Sequence, residues 1–302
     1  MTGVSASAGT PSIGRARRWV IGARPRTLAA AAVPVAVGTV VGRLGSLEGI
    51  VWWRAVCAAV VALAIQVGTN YANDYSDGVR GSDSQRIGPV RLTSSGLASP
   101  GQVRAASFLA FGVAAVAGLA LAAAVSWWLI GVGGACLVAG WLYTGGPKPY
   151  GYLGLGEVFV FVFFGLVATA GSAYVQHGRF TAAAVAASVP VGLLSVTLLE
   201  SNNLRDIDGD AAASKRTLAV RLGARRARWL YIGALVAGFA AIGLVAPSRP
   251  YALIALVAVP LALRPGTVVM AGAEGPELLP VLAATGRIQL VVGLLLTIGI
   301  AL

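Results

Sequence analysis

Long apolar runs alternate with short polar connections along this chain. They predict helices over residues 25–43, 50–72, 101–124, 127–143, 156–175, 181–203, 227–246, 250–264 and 280–301. Runs of about 18 or more apolar residues are long enough to cross a bilayer core of roughly 30 Å. The expected fold is an all-α polytopic membrane protein with about nine transmembrane helices. Residues 1–18 are small, polar and basic, and are expected to form a disordered tail ahead of one transmembrane domain over 19–302. No short apolar stretch with a small-residue cleavage site precedes the first span, which argues against a cleaved signal peptide.

Composition supports the pattern. Of 302 residues, 57% are hydrophobic and 11% are charged. Soluble domains carry about 25% charged residues, so a soluble class is excluded. A net charge of +12 would suit a nucleic-acid partner, but its placement does not. The N-terminus and every second connection, span ends included, hold 19 of the 23 Lys and Arg residues; the alternate connections hold only Arg43, Arg54, Arg179 and Arg249. This is the positive-inside asymmetry. It places the N-terminus and the basic loops on the cytoplasmic side of a cell membrane, with no nucleic acid involved. Cys57 and Cys136 lie inside apolar spans and read as small buried hydrophobes, with no disulfide implied.

The acids are distributed unevenly. All six aspartates fall in two segments, "NYANDYSDGVRGSD" with Asp74, Asp77 and Asp83, and "ESNNLRDIDGD" with Asp206, Asp208 and Asp210. Asparagines accompany each: Asn70 and Asn73, then Asn202 and Asn203. Four helices separate the two segments, and an even number of crossings returns the chain to the same face. Aspartate is unfavourable at a helix C-terminus, where the helix dipole is already negative. Two such clusters facing each other repel unless a cation lies between them. Asn73 and Asp77, like Asp206 and Asp210, are spaced i, i+4, on one helical face. Carboxylate and amide oxygens suit Mg²⁺, which is bound through one or two carboxylates plus substrate phosphates. The candidate metal-side residues are Asn73, Asp74, Asp77, Asp83, Asn203, Asp206 and Asp210. "DIDGDA" begins like an EF-hand, but its glycine is fourth instead of sixth and Thr217 stands where the bidentate Glu belongs, so that pattern fails.

Basic and aromatic residues crowd the same face. "ARPRTL" supplies Arg24 and Arg26, "RIGPVRLTSSGLASP" supplies Arg86 and Arg91, "LYTGGPKPYGY" supplies Lys148, Tyr143, Tyr150 and Tyr152, and "SKRTLAVRLG" supplies Lys215. Carboxylates and cations together suit a diphosphate, held by Mg²⁺ on one side and by Arg or Lys on the other. Asp77, Asp206, Asp210 and Lys148 are the catalytic candidates. Arg24, Arg26, Asn70, Arg86, Arg91, Tyr143, Tyr150, Tyr152, Asn202 and Lys215 are the substrate-binding candidates. Glu200 and Gln66 are polar groups within spans, and intramembrane acids are functional candidates by default. His177, the only histidine, falls in an outer loop. A cation transporter is the rival class, but transporters place charges near the bilayer midplane on broken helices. Here they cluster at span ends.

With these motifs in a nine-span pattern, the chain resembles the UbiA-type intramembrane prenyltransferases over nearly its whole length after residue 19. "NYANDYSDGVRGSD", "YTGGPKPYGYLGLGEVFVFVFFG" and "NNLRDIDGDAAASKRTLAVRLG" are similar to the branch that serves menaquinone biosynthesis. Position 81 is Gly where the ubiquinone branch has a third motif acid, and Asp83 follows two residues later. The resemblance implies Mg²⁺, a polyprenyl diphosphate donor and 1,4-dihydroxy-2-naphthoate as acceptor. It also implies loss of carbon dioxide, giving demethylmenaquinone. The alternative within the family is a prenyltransferase with another aromatic acceptor, such as 4-hydroxybenzoate or homogentisate.

Overall fold

The computed structural model describes residues 14–43, 47–82 and 90–302. These form only helices and loops. In chain order the helices are α1 (Arg15–Ala23), α2 (Ala29–Val41), α3 (Trp52–Arg80), α4 (Pro100–Ala124), α5 (Leu129–Leu142) and α6 (Gly156–His177). Then follow α7 (Ala182–Arg205), α8 (Ile207–Ala212), α9 (Leu218–Leu222), α10 (Ala224–Leu244), α11 (Pro250–Met270) and α12 (Gly275–Ala301). Among the described residues, seven helices are long and apolar enough to cross a membrane, and the α1–α2 pair makes an eighth if its 55° bend lies within one span. The ninth expected span, α5, has 14 residues and is shorter than a bilayer core requires.

The first predicted span is broken instead of straight. Arg24 adopts a left-handed conformation (φ 53°), Pro25 opens a short 3₁₀ turn, and only then does α2 begin. A polar clasp from α3 fixes this break. The Asn70 amide donates to Ala23 O at 2.9 Å and to Thr27 Oγ1 at 3.1 Å, and Gln66 Nε2 donates to Asn70 Oδ1 at 3.2 Å. These bonds satisfy backbone and side-chain groups that the bend frees, as apolar surroundings require. Helix α1 also begins at Arg15, inside the stretch expected as tail, and Arg18 anchors it by donating to Leu97 O at 2.7 Å.

The second span continues past its predicted end at residue 72 to Arg80, stopping where Gly81 takes a left-handed φ of 74°. The Asn/Asp motif is therefore helical. Polar side chains depress helix propensity weakly, and tertiary bonds to several of them here outweigh that. Ser99 and Gln102 form a capping box that starts α4, and the Thr181 side chain caps α7.

The bundle core joins α2, α7, α10, α11 and α12 through side chains such as Val37, Leu194, Tyr231, Ile242 and Ile288. Small residues bring α6 and α7 together: a Cβ on Gly165 would stand 2.7 Å from Gly192 Cα. Close approach of this kind is how helices associate in lipid. Large apolar side chains such as Leu109, Val116, Val257 and Leu263 face outward, as a lipid solvent allows. At the far end of the bundle from the aspartates, Trp52, Trp53 and Trp127 are exposed and Trp128 Nε1 donates to Tyr174 OH at 2.9 Å, an aromatic belt suited to a membrane interface.

Candidate active site

The end of α3 meets the α7–α8 corner at one side of the bundle, which brings the two aspartate segments together. Asp77 is the hub. The Tyr152 hydroxyl donates to Asp77 Oδ1 at 2.8 Å. On Oδ2, Arg91 Nη2 stands at 3.5 Å and Lys215 Nζ at 4.0 Å. Lys215 Nζ is also 3.4 Å from Asp210 Oδ1, so one ammonium lies between the two motifs.

Local structure explains how Lys215 arrives there. After α8 the chain turns back through Ser214, which has a left-handed φ of 58°. The Lys215 N–H then donates to Asp210 O at 2.7 Å, aiming the side chain at the helix it has just left. The ammonium lies 5.5 Å from the Tyr152 ring centroid, and the Arg80 guanidinium lies 5.4 Å from the same centroid. Arg80 in turn donates to the carbonyls of Thr144 and Gly146, tying the end of α3 to the loop that carries Tyr152. Beside them a cavity of about 310 Å³ is lined by Arg80, Ser82, Tyr152, Ala212 and Ser214.

The loop tyrosines stay neutral. Burial raises the pKa of Tyr152 first, and the Asp77 charge and hydrogen bond add to it. Tyr143 is held well above its ordinary range by burial first, with the charge of Glu157 adding to it. Tyr150 is raised by burial alone. Its ring stacks on Phe159 at 3.9 Å and its hydroxyl donates to Ala139 O at 3.0 Å, so its contacts are packing contacts.

Several expected site residues have other partners in the structure. Asp74, expected on the metal side, accepts Leu92 N–H at 2.7 Å and Thr93 N–H at 2.8 Å. Both its oxygens are engaged in holding the loop before α4, which is why a buried carboxylate is tolerated there. Asn70, expected to bind substrate, is spent on the α1–α2 clasp. Lys148, a catalytic candidate, is exposed and makes no ion pair among the described residues, and Arg26 is exposed as well. Asp206 receives two bonds from its neighbour Arg205, Nε to Oδ1 at 2.7 Å and Nη2 to Oδ2 at 2.6 Å. It caps α7, so Asp206 and Asp210 do not share one unbroken helix. Asn203 donates to Glu157 Oε1 at 2.7 Å, while Asn202 is half-buried. Asn73 accepts Thr144 Oγ1 at 2.7 Å. Arg24 is half-buried at the bend, with a buried Nη2 that has no hydrogen-bond partner among the described residues. Asp83 and Arg86 lie outside the described residues.

Sequence reasoning overlooked Arg80, Thr144, Glu157 and Arg205. Glu157 had a readable signal, an acid just inside an apolar span. It faces the fully buried Glu200. Arg205 directly precedes Asp206, which was signal enough.

Among the described residues, no three His, Cys, Asp or Glu side chains cluster as a self-sufficient metal cage. Carboxylates of two helices instead converge on a cation, with further cations around them. That is the arrangement of an intramembrane site for a polyanion. The matching family model covers residues 31–275 and is that of the UbiA prenyltransferase family, to which this chain belongs. It is 50% identical to a 1,4-dihydroxy-2-naphthoate octaprenyltransferase of Mycobacterium tuberculosis, covering 91% of this chain and 93% of that protein. It is 34% identical to the Escherichia coli protein of the same name, over 96% and 97% of the two chains. Among solved structures, the chain resembles a UbiA homologue from Archaeoglobus fulgidus bound to GPP and Mg²⁺, with TM-score 0.62, 15% identity and coverage of 90% and 99%. It also resembles an apo UbiA homologue from Aeropyrum pernix, with TM-score 0.66, 14% identity and coverage of 88% and 96%.

Proposed function

We propose that this protein transfers a polyprenyl group from polyprenyl diphosphate to 1,4-dihydroxy-2-naphthoate, at a site facing the cytoplasm in the cell membrane. The observation that carries the reading is the convergence of Asp77 and Asp210 on one cation, 4.0 and 3.4 Å away. The acceptor is inferred from the near full-length likeness to the mycobacterial proteins. Carbon–oxygen cleavage in the donor leaves an allylic cation and diphosphate. The acceptor carbon that bears the carboxylate forms the new bond, and that carboxylate departs as carbon dioxide. The products are demethylmenaquinone in its quinol form, carbon dioxide and diphosphate.

The residues fit Mg²⁺. Asp77 and Asp210 already attract a cation, and the Asn73 amide oxygen, one helical turn from Asp77, keeps a second lone pair beside its bond from Thr144 Oγ1 and would add to an oxygen donor set of the kind that ion takes. Bound there, Mg²⁺ neutralises charge on the leaving diphosphate. Lys215, beside both carboxylates, and Arg91, beside Asp77, share that charge, and Arg24 is the third candidate. Tyr152 stays protonated and fixes Asp77 through its hydroxyl. Tyr143, kept neutral by burial, presents a hydroxyl donor that can orient the acceptor. The site must keep water from the allylic cation, which water would otherwise capture as an alcohol.

The test is direct. Purified protein is given geranyl diphosphate with the naphthoate or with 4-hydroxybenzoate, with and without EDTA. Prenylated naphthoquinol formed only with free Mg²⁺ is the expected result. Preference for the benzoate, or full turnover after exhaustive metal removal, overturns the reading.

A further inference from the structure

Lys215 does more than neutralise a phosphate. Its ammonium, largely buried, sits between Asp77 Oδ2 and Asp210 Oδ1 at 4.0 and 3.4 Å. Those are two of the oxygens a divalent cation would take. A dication bridging these two oxygens and an ammonium lying between them crowd one space and repel each other. We propose that Lys215 is a tethered competitor for the metal site, so that metal and diphosphate bind as a coupled pair. The inference rests on the metal-dependent prenyl transfer proposed above.

The geometry suits an exchange. The Lys215 backbone is fixed by its bond to Asp210 O at 2.7 Å and by the left-handed turn at Ser214. Only the side chain is free to move, and a lysine stem has four rotatable carbons and three rotatable donors. The Tyr152 ring, 5.5 Å away, gives the ammonium a flat surface to pivot over. When a diphosphate arrives, its oxygens offer Lys215 a stronger partner than the carboxylates, and Asp77 and Asp210 pass to the metal. Metal alone must displace the ammonium with nothing to receive it, so metal alone binds weakly. The coupling is reciprocal: metal improves diphosphate binding by the factor by which diphosphate improves metal binding. A lysine in this position enforces joint loading and suppresses occupation of the site by metal without donor. Arg91 also contacts Asp77, at 3.5 Å.

The experiment titrates Mn²⁺ into detergent-solubilised full-length protein and follows free Mn²⁺ by electron paramagnetic resonance. Without diphosphate, Lys215→Met should bind Mn²⁺ tighter than wild type by on the order of ten-fold. Lys215→Arg, which keeps the charge, should bind like wild type. A second readout uses the unaltered protein: acylation of Lys215 by an amine reagent, read by mass spectrometry. Mn²⁺ alone at saturating concentration should raise labelling as the ammonium is displaced, and Mn²⁺ with geranyl diphosphate should suppress it. Equal or weaker Mn²⁺ binding by Lys215→Met, or labelling of Lys215 unmoved by Mn²⁺, overturns the competitor role. Failure of wild type to bind Mn²⁺ even with geranyl diphosphate present instead overturns the metal-dependent reading beneath it.

Discussion

The Tyr152 hydroxyl donates to Asp77 Oδ1 at 2.8 Å, while its ring centroid lies 5.4 Å from the Arg80 guanidinium and 5.5 Å from the Lys215 ammonium. One loop side chain thus orients the central carboxylate and contacts two cations beside it. Tyr152→Phe keeps the ring and removes one hydrogen bond to a charged group, an effect of about 1.5 kcal/mol. A fall of roughly ten-fold in kcat/KM is expected. Burial and Asp77 raise the Tyr152 pKa, and for a phenol a raised value means the proton is kept. Tyr152 therefore stays neutral between about pH 6 and 9. Rate profiles of wild type and variant should have the same shape in that window. An ionisation present in wild type and missing from the variant would contradict the assignment.

Asp74 and Asp77 are three residues apart, and substitution should separate them. Asp74 holds the loop before α4 through two charge-assisted bonds to Leu92 and Thr93 N–H. Asp74→Ala should destabilise the fold by about 3 kcal/mol. Asp77→Asn should leave the melting temperature near wild type and remove most activity. Thermal unfolding and turnover, measured on both variants, decide this. A thermally normal Asp74→Ala enzyme would show that the loop is held by something else.

Backbone contact between α6 and α7 makes a third prediction. A Cβ on Gly165 meets Gly192 Cα at 2.7 Å and Ser188 O at 3.0 Å, all backbone, so no side-chain rotation relieves it. Gly165→Ala should cost about 1–3 kcal/mol. Gly171→Ala, one to two turns along the same helix with open space at its Cβ, should be tolerated. Equal melting temperatures for the two variants would mean that the helices separate freely here.

Much of this architecture is legible in the chain because lipid imposes a simple pattern. Apolar runs mark the spans, and the charges left over mark the face that carries the site. The break at Arg24–Pro25 is not legible in "ARPRTL", because a proline near a helix start is ordinary; Gln66 and Asn70, more than forty residues away, fix the bend. The extension of α3 to Arg80 was hidden for a related reason. Asn and Asp read as loop until their tertiary partners are known. The same limit governs the site. Asp74 and Asp77 look alike in the sequence, and only the return of Leu92 and Thr93 marks one as a clamp. Lys148 and Lys215 both sit in basic loops, and only the turn at Ser214 aims one of them at the acids.

The pairing of the motifs gives the last prediction. Asp77 and Asp210 share one ammonium in the structure and would share one metal–diphosphate unit in turnover. Groups that serve one transition state are not additive. Asp77→Asn or Asp210→Asn alone should therefore abolish most activity, and the double variant should be little worse than the poorer single one. Independent sites would give losses that add in log rate. Asp208 is the internal control. It lies in α8 two residues before Asp210 but is exposed, while Asp210 is buried. Asp208→Asn changes charge by the same amount a few ångströms away, so it reports any purely long-range effect. That variant should retain activity within a few-fold of wild type, since exposed charges are screened over a Debye length of about 8 Å. All four proteins are to be compared in one membrane assay at fixed Mg²⁺ and donor. Additive single-site losses, or Asp208 as the most sensitive position, would mean that the two helix ends do not act on one anion.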